Sequence, residues 1–122
     1  MHIHNEEGIQ LLKAMGASRV VLPRETPIET IKKLSKCGVE LEVFVQGALC
    51  VSYSGQCLMS SKTLSRSGNR GACAQSCRMR YTLEELSDGQ YQKVPCKDAY
   101  LLSPKDMNTL PHIQAMMEAG IS

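Results

Sequence analysis

The sequence predicts an α/β fold of the parallel βαβ kind, and three observations predict it. A unit of helix, glycine and strand occurs twice within the first 45 residues, its strands read as buried and rich in β-branched residues, and a third helix signature returns near the end. Strands alternating with helices of about ten residues belong either to a doubly wound sheet or to a (β/α)8 barrel, and both place chemistry at the C-terminal ends of their strands.

In the first unit Asn5 is the expected N-cap, Ile9, Leu12 and Met15 recur at helical spacing, and Gly16 ends the helix in a left-handed conformation. Arg19 to Leu22 then read as a buried strand stopped by Pro23. In the second unit Thr26, Pro27 and Glu29 spell a capping box with proline at the first helical position. Ile28, Ile31 and Leu34 line one face of that helix, Gly38 closes it, and Glu40 to Val45 form the next strand. Arg24 and Glu25 follow the first strand, and Gln46 follows the second. Both segments are therefore expected at the active face.

From Gly47 to Tyr81 the character changes: this stretch holds four cysteines, five basic residues and no acidic one. Cys50, Cys57, Cys73 and Cys77 are spaced C-x6-C-x15-C-x3-C among Ser, Gly, Asn and Arg, which suits a loop around a cofactor. Cys96 follows. Lys62, Arg66, Arg70, Arg78 and Arg80 supply the positive charge, leaving the rest of the chain net negative although the whole carries only +2. Such segregation implies an anionic partner near the cysteines.

Glu84 to Lys93 is polar and is expected to be an exposed connection with little structure. After the apolar Tyr100-Leu101-Leu102, the residues Ser103-Pro104-Lys105-Asp106 repeat the helix-start signature. One helical turn is expected there, then a break at Pro111 and a helix carrying Ile113, Met116 and Met117 up to Gly120. The organisation expected is one partial domain: two βα units over 1–46, a cysteine-rich loop insertion over 47–98, and a βα unit over 99–122 cut before its next strand. With about three βα units where a closed barrel needs eight, the chain reads as an internal fragment, expected to be inactive alone.

With one Phe, four Tyr and no Trp, aliphatic residues must supply the packing. No apolar run approaches a membrane span and the start lacks a secretory signal, so a cytoplasmic location without membrane association is expected. In that reducing compartment six cysteines suit metal ligation, redox chemistry or plain burial better than three disulfides. Cys37, at a helix end, reads as a small buried hydrophobe. For the loop cysteines, thiolate ligands serve iron–sulfur clusters and zinc alike, and their spacing fits neither a zinc ribbon nor a ferredoxin run. No G-x-S-x-G elbow or H-E-x-x-H helix is present, and His2, His4 and His112 are scattered.

The segments ELEVFVQGALCVSYSGQCLMSS, RSGNRGACAQSCR and YLLSPKDM closely resemble the signature segments of the collagenase-like U-32 peptidase family, and the flanking MGASRVVLPRE and AMMEAGI resemble its βα units. The resemblance implies a (β/α)8 barrel continuing beyond Ser122. It further implies either a peptidase or an iron–sulfur protein that hydroxylates nucleobases in transfer or ribosomal RNA, or the ubiquinone precursor ring, without dioxygen. On that resemblance a 4Fe-4S cluster is favoured over zinc.

Cys50, Cys57, Cys73 and Cys77 are the expected ligands. Cys77 lies one turn from Cys73, and Cys96 resembles a fourth ligand of some relatives and stands as its alternative. Arg24 and Glu25 match the family's Arg-Glu after its strand and are the catalytic candidates; their bland alternative is an exposed ion pair. Gln46 departs from the family, in which many members have His, so no base or ligand role carries over. Arg66, Arg70, Arg78 and Arg80 are expected to bind RNA, since guanidinium groups bind phosphate bidentately and stack on extruded bases. The alternatives are a peptide substrate, a structural metal module and a merely solvated basic face.

Overall fold

The computed structural model describes residues 3–121, so His2 lies outside the described residues. The chain divides into two compact units. The first comprises the chain up to Leu49, Tyr53–Gln56 and the segment from Lys105 onward; the second comprises Cys50–Ser52 and Cys57–Pro104.

Helix α1, Glu6–Ala14, starts as its sequence dictates: the Asn5 side chain accepts the Gly8 N–H at 3.1 Å, with Glu6 and Glu7 in the first turn and Lys13 in the last. Gly16, at φ 93°, ends it. Strand β1, Arg19–Val21, pairs in parallel with β2, Glu40–Glu42, in the register Arg19 to Glu40, Val20 to Leu41 and Val21 to Glu42. Helix α2, Ile28–Leu34, connects them. Each strand turns only its central residue inward, so Val20 and Leu41 meet Leu22, Ile9, Ile31 and Leu34 in one buried cluster. Each such side chain contributes about 1.5–3 kcal/mol by leaving water. Arg19, on the outer face, reaches Glu40 at 2.8 Å and Glu42 at 3.7 Å. Cys37 is also part of this core, as the sequence suggests.

Three local expectations are corrected. At the start of α2 it is Pro27, at φ −65° and ψ 149°, that occupies the N-cap, and no side chain caps the helix. Thr26 is thereby displaced one residue too early for a capping box, and its hydroxyl is buried without a hydrogen-bond partner among the described residues. The strand expected over Glu40–Val45 ends at Glu42; the chain then leaves the parallel pair, and Gln46–Ala48 form β3, antiparallel to β6, Asp106–Asn108. That pairing also replaces the helical turn expected after Ser103, because Asp106 is a strand residue. Thr109 extends the contact, donating both its N–H and its hydroxyl to the Val45 carbonyl.

The last helix, α4 at Ile113–Glu118, follows a 3-10 turn over Leu110–His112 that accommodates Pro111. Of its three expected apolar contacts only Met116 is buried, Ile113 and Met117 being exposed.

In the second unit, Glu84–Lys93 is a β-hairpin, not an unstructured connection. Strands β4, Glu84–Ser87, and β5, Gln90–Lys93, pair antiparallel around Asp88 and Gly89, whose φ values of 51° and 76° are those of a tight hairpin turn. Opposite charges face each other at Glu84 and Lys93, and Leu86 faces Tyr91. Among the described residues the strands make three two-stranded sheets, β1–β2, β3–β6 and β4–β5. The parallel pair with its helical crossover is the α/β element the sequence predicts, and it is common to doubly wound sheets and barrels.

Candidate functional site

Two sets of chemically capable residues stand out, one in each unit. In the first unit the chain past β1 places Arg24 and Glu25 beside Ser54. A Glu25 carboxylate oxygen accepts the Ser54 N–H at 2.5 Å, and Arg24 Nη2 donates to Ser54 Oγ at 3.3 Å. Arg24 and Glu25 therefore do not form the exposed ion pair that is their bland reading; both clasp a third residue. Burial pushes the Glu25 carboxyl up, but the hydrogen bonds from its own backbone and from Ser54, with the charge of Arg24, outweigh this and hold it below its ordinary value of 4.5. It is an anchored anion at neutral pH and a poor proton acceptor, better suited to positioning than to general-base work.

Because the folded-state value is depressed, the contact stabilises the loop above the unfolded value and is lost as pH falls through the folded one. The Ser54 amide resonance is expected to titrate with a midpoint below 4.5 and to lose that titration in Glu25→Gln. A midpoint above 4.5 would refute the clasp. Ser54 itself carries no sequence signal beyond its place between Cys50 and Cys57.

Beside this clasp is a cavity of about 330 Å3 lined by Arg24, Phe44, Gln46, Ser54 and Met107 among others. A second, of about 230 Å3, lies against Glu25, Thr26, Thr30 and Tyr53.

The second unit is assembled differently. Among the described residues, every buried hydrophobic side chain belongs to the first unit; the buried residues of the second are Ser60 and Ser76. Ser60 Oγ accepts the Ala74 N–H at 2.9 Å, while Thr63 Oγ1 and Ser76 Oγ are 3.0 Å apart. Thr63 donates its proton to the Met59 carbonyl, so Ser76 is the donor of that pair. Tyr81 adds a hydrogen bond to the Ser76 carbonyl at 2.8 Å. Helix α3, Met59–Leu64, is thus fastened by hydroxyls to the segment between Cys73 and Cys77.

Cys50, Cys57, Cys73, Cys77 and Cys96 all lie in this second unit, and all are free thiols. Cys50, Cys57 and Cys77 are half-buried; Cys73 and Cys96 are exposed. Gln75, held in a left-handed conformation at φ 54°, aims its N–H at Cys73 Sγ from 3.3 Å, the kind of donor that stabilises a thiolate. Among the described residues no three His, Cys, Asp or Glu side chains gather into a metal-holding group. The donor set nevertheless has the chemistry of a soft-metal site, with five thiols in one unit and none consumed in a disulfide.

The four arginines separate. Arg78 Nη1 donates to Ser103 Oγ and to the Pro104 carbonyl, each at 2.9 Å, so its role in the fold is that of a brace. The same bond occupies the hydroxyl that the sequence casts as a helix cap. Arg66, Arg70 and Arg80 are exposed, and no ion pair engages them among the described residues. No described helix is long and apolar enough to cross a membrane.

A parallel βαβ core and a thiol-rich unit whose cysteine loop, residues 47–81, carries no acidic residue together define a cysteine-loop α/β protein. The pattern of Peptidase family U32 matches residues 1–122, and the chain belongs to that family. It is 36% identical over 122 residues to tRNA hydroxylation protein P1 of Bacillus subtilis (strain 168), covering 98% of this chain and 29% of that protein. It is 36% identical over 120 residues to the 23S rRNA 5-hydroxycytidine C2501 synthase of Escherichia coli (strain K12), covering 98% and 18%. To a protein named collagenase from Porphyromonas gingivalis (strain ATCC BAA-308 / W83) it is 38% identical over 133 residues, covering 99% and 31%. The chain therefore spans less than a third of the length of these relatives. No solved structure matches it.

Proposed function

We propose that this chain belongs to an RNA-modifying hydroxylase, a (β/α)8 barrel protein of the cytoplasm that oxidises a nucleobase of transfer or ribosomal RNA. The observation that carries this reading is the company the free thiols keep: Arg66, Arg70 and Arg80 stand exposed, with no ion pair among the described residues, in the same unit as five free cysteines. Relatives named for tRNA hydroxylation and for hydroxycytidine synthesis support it.

Cys50, Cys57, Cys73 and Cys77 would hold a 4Fe-4S cluster, with Cys96 the alternative fourth ligand and zinc the alternative metal. The cluster, when bound, supplies electron transfer for the oxidation. The chain's own residues do the rest. Arg66, Arg70 and Arg80 bind phosphates, Gln75 N–H supports the Cys73 sulfur, the Ser60 and Ser76 hydroxyls fix the Cys73–Cys77 segment, and Arg24 with Glu25 sets Ser54 at the strand end.

The name collagenase on one relative supports the alternative of a peptidase. The clasp speaks against a serine nucleophile in that role, since Glu25 holds the Ser54 N–H and the Oγ receives a donor from Arg24 where a base would be needed. The complete protein, purified without oxygen, is expected to carry about four irons per chain. RNA from cells lacking it is expected to lose one hydroxylated nucleoside by mass spectrometry. A colourless zinc protein, unchanged RNA and cleavage of denatured collagen would replace this reading with the peptidase.

A further inference from the structure

The cavity beside the Ser54 clasp collects three unlike groups that no secondary-structure requirement brings together. Phe44, the chain's one phenylalanine, lies between β2 and β3, lines the cavity and is 54% exposed. Gln46 opens β3 on the same cavity, and its carboxamide has no hydrogen-bond partner among the described residues. Arg24 is half-buried and, among the described residues, makes no direct ion pair, its guanidinium donating to the neutral Ser54 hydroxyl. Its neighbour Glu25, the obvious counter-ion, is turned to the Ser54 N–H instead. Gly47, which also lines the cavity, has φ 142° and no atom within 4 Å of where a Cβ would sit, so the space beside it is open.

A half-buried guanidinium whose neighbouring carboxylate is hydrogen-bonded elsewhere keeps N–H groups that call for a further acceptor. An exposed aromatic face and a free carboxamide, which presents a donor and an acceptor side by side, complete the set that recognises a planar ring with polar edges. At about 330 Å3 the cavity lies at the small end of ligand pockets, which run from roughly 300 to 1,000 Å3, so it suits one ring and not an extended chain.

We propose that this cavity is the pocket for a single extruded nucleobase. Phe44 stacks on the ring, Gln46 reads its edge, and Arg24, held by Ser54, meets a ring carbonyl. The assignment rests on the RNA reading above and gives that reading its base-binding subsite. It also gives Gln46 a function that requires neither titration nor metal ligation, which a carboxamide does not supply.

The test is photocrosslinking of the complete protein with a single-stranded oligoribonucleotide carrying one 4-thiouridine, followed by trypsin digestion and mass spectrometry. The crosslink is expected in the peptide between the cleavage sites at Lys36 and Lys62, which contains Phe44 and Gln46. Its yield should fall about tenfold in Phe44→Ala, the loss of one base–aromatic stack. Gln46→Leu, on an exposed strand position, should lower it further for uridine while leaving the fold intact. Crosslinks confined to peptides from Lys62 to Arg80 would overturn the pocket and leave the RNA reading standing. No crosslink at all would overturn both. Displacement from the Phe44 peptide by denatured collagen, but not by unlabelled RNA, would assign the cavity to a peptide.

Discussion

On the proposed metal assignment, stripping the metal from the complete protein is expected to melt the second unit and leave the first folded. The first unit has a core of its own in Ile9, Val20, Leu22, Ile31, Leu34 and Leu41, and these contacts need no ligand. The second has no buried hydrophobic residue among those described, only Ser60 and Ser76, with hydroxyl and backbone hydrogen bonds. Each such bond contributes a net 0.5–1.5 kcal/mol or so, too little to offset the ordering of some fifty residues at more than 1 kcal/mol each. Small units in that position depend on disulfides or metals, and these cysteines are free thiols. Bound metal supplies on the order of 10 kcal/mol in small metal-dependent domains, so its removal should be decisive here.

Hydrogen exchange of the amides of Ala74, Gln75, Tyr81 and Val94 should accelerate at least tenfold on chelation. Amides of β1 and β2, such as Leu22, which donates to the Glu42 carbonyl, should keep their protection. Cys77→Ala should lose iron and show the same acceleration, and Cys96→Ala should retain both iron and protection. Unchanged exchange after complete iron loss would mean that the hydroxyl fastening alone folds the unit.

What the sequence makes legible here is local. Asn5, Gly16 and the alternating Val20 and Leu41 announce α1 and the parallel pair, because caps and periodicity act within a few residues. The end of β2 is not legible, since Val43 and Val45 continue the β-branched pattern. What stops the strand is the pairing of β3 with β6, about sixty positions away. The Asp88-Gly89 turn is in plain view in the sequence, but the polar composition around it suggests a disordered connection. Pro27 defeats the capping box because it takes the cap position itself.

The same holds for the sites. Five of the cysteines and the exposed arginines are recognisable from composition. The Ser54 clasp is not, being made by residues 29 and 30 positions upstream. Nor is the burial of Ser60 and Ser76, since serine is mostly an exposed residue and only its hydrogen bonds explain its place here. Arg78 looks like its neighbours in the sequence, yet the fold uses it to hold Ser103 and Pro104.

That distinction among the arginines sets the size of the remaining effect, the salt dependence expected of the proposed RNA binding by the complete protein. Each phosphate neutralised on a single strand contributes about −0.7 to the slope of log affinity against log salt. Four arginines acting alike would give nearly −3. With Arg78 committed to the fold, Arg66, Arg70 and Arg80 give about −2, which weakens binding roughly twentyfold between 50 and 200 mM salt. Arg66→Ala, Arg70→Ala and Arg80→Ala should each reduce the slope by about 0.7 and weaken binding to all sequences equally, because phosphate contacts carry no base information. Arg78→Ala should instead leave the slope near −2 and speed exchange at the Tyr81 amide, which donates to the Ala99 carbonyl in the same unit. A slope of −3 that drops in Arg78→Ala would return that residue to the RNA surface. A slope near zero would remove the RNA from this unit altogether, since a neutral peptide substrate releases no counterions.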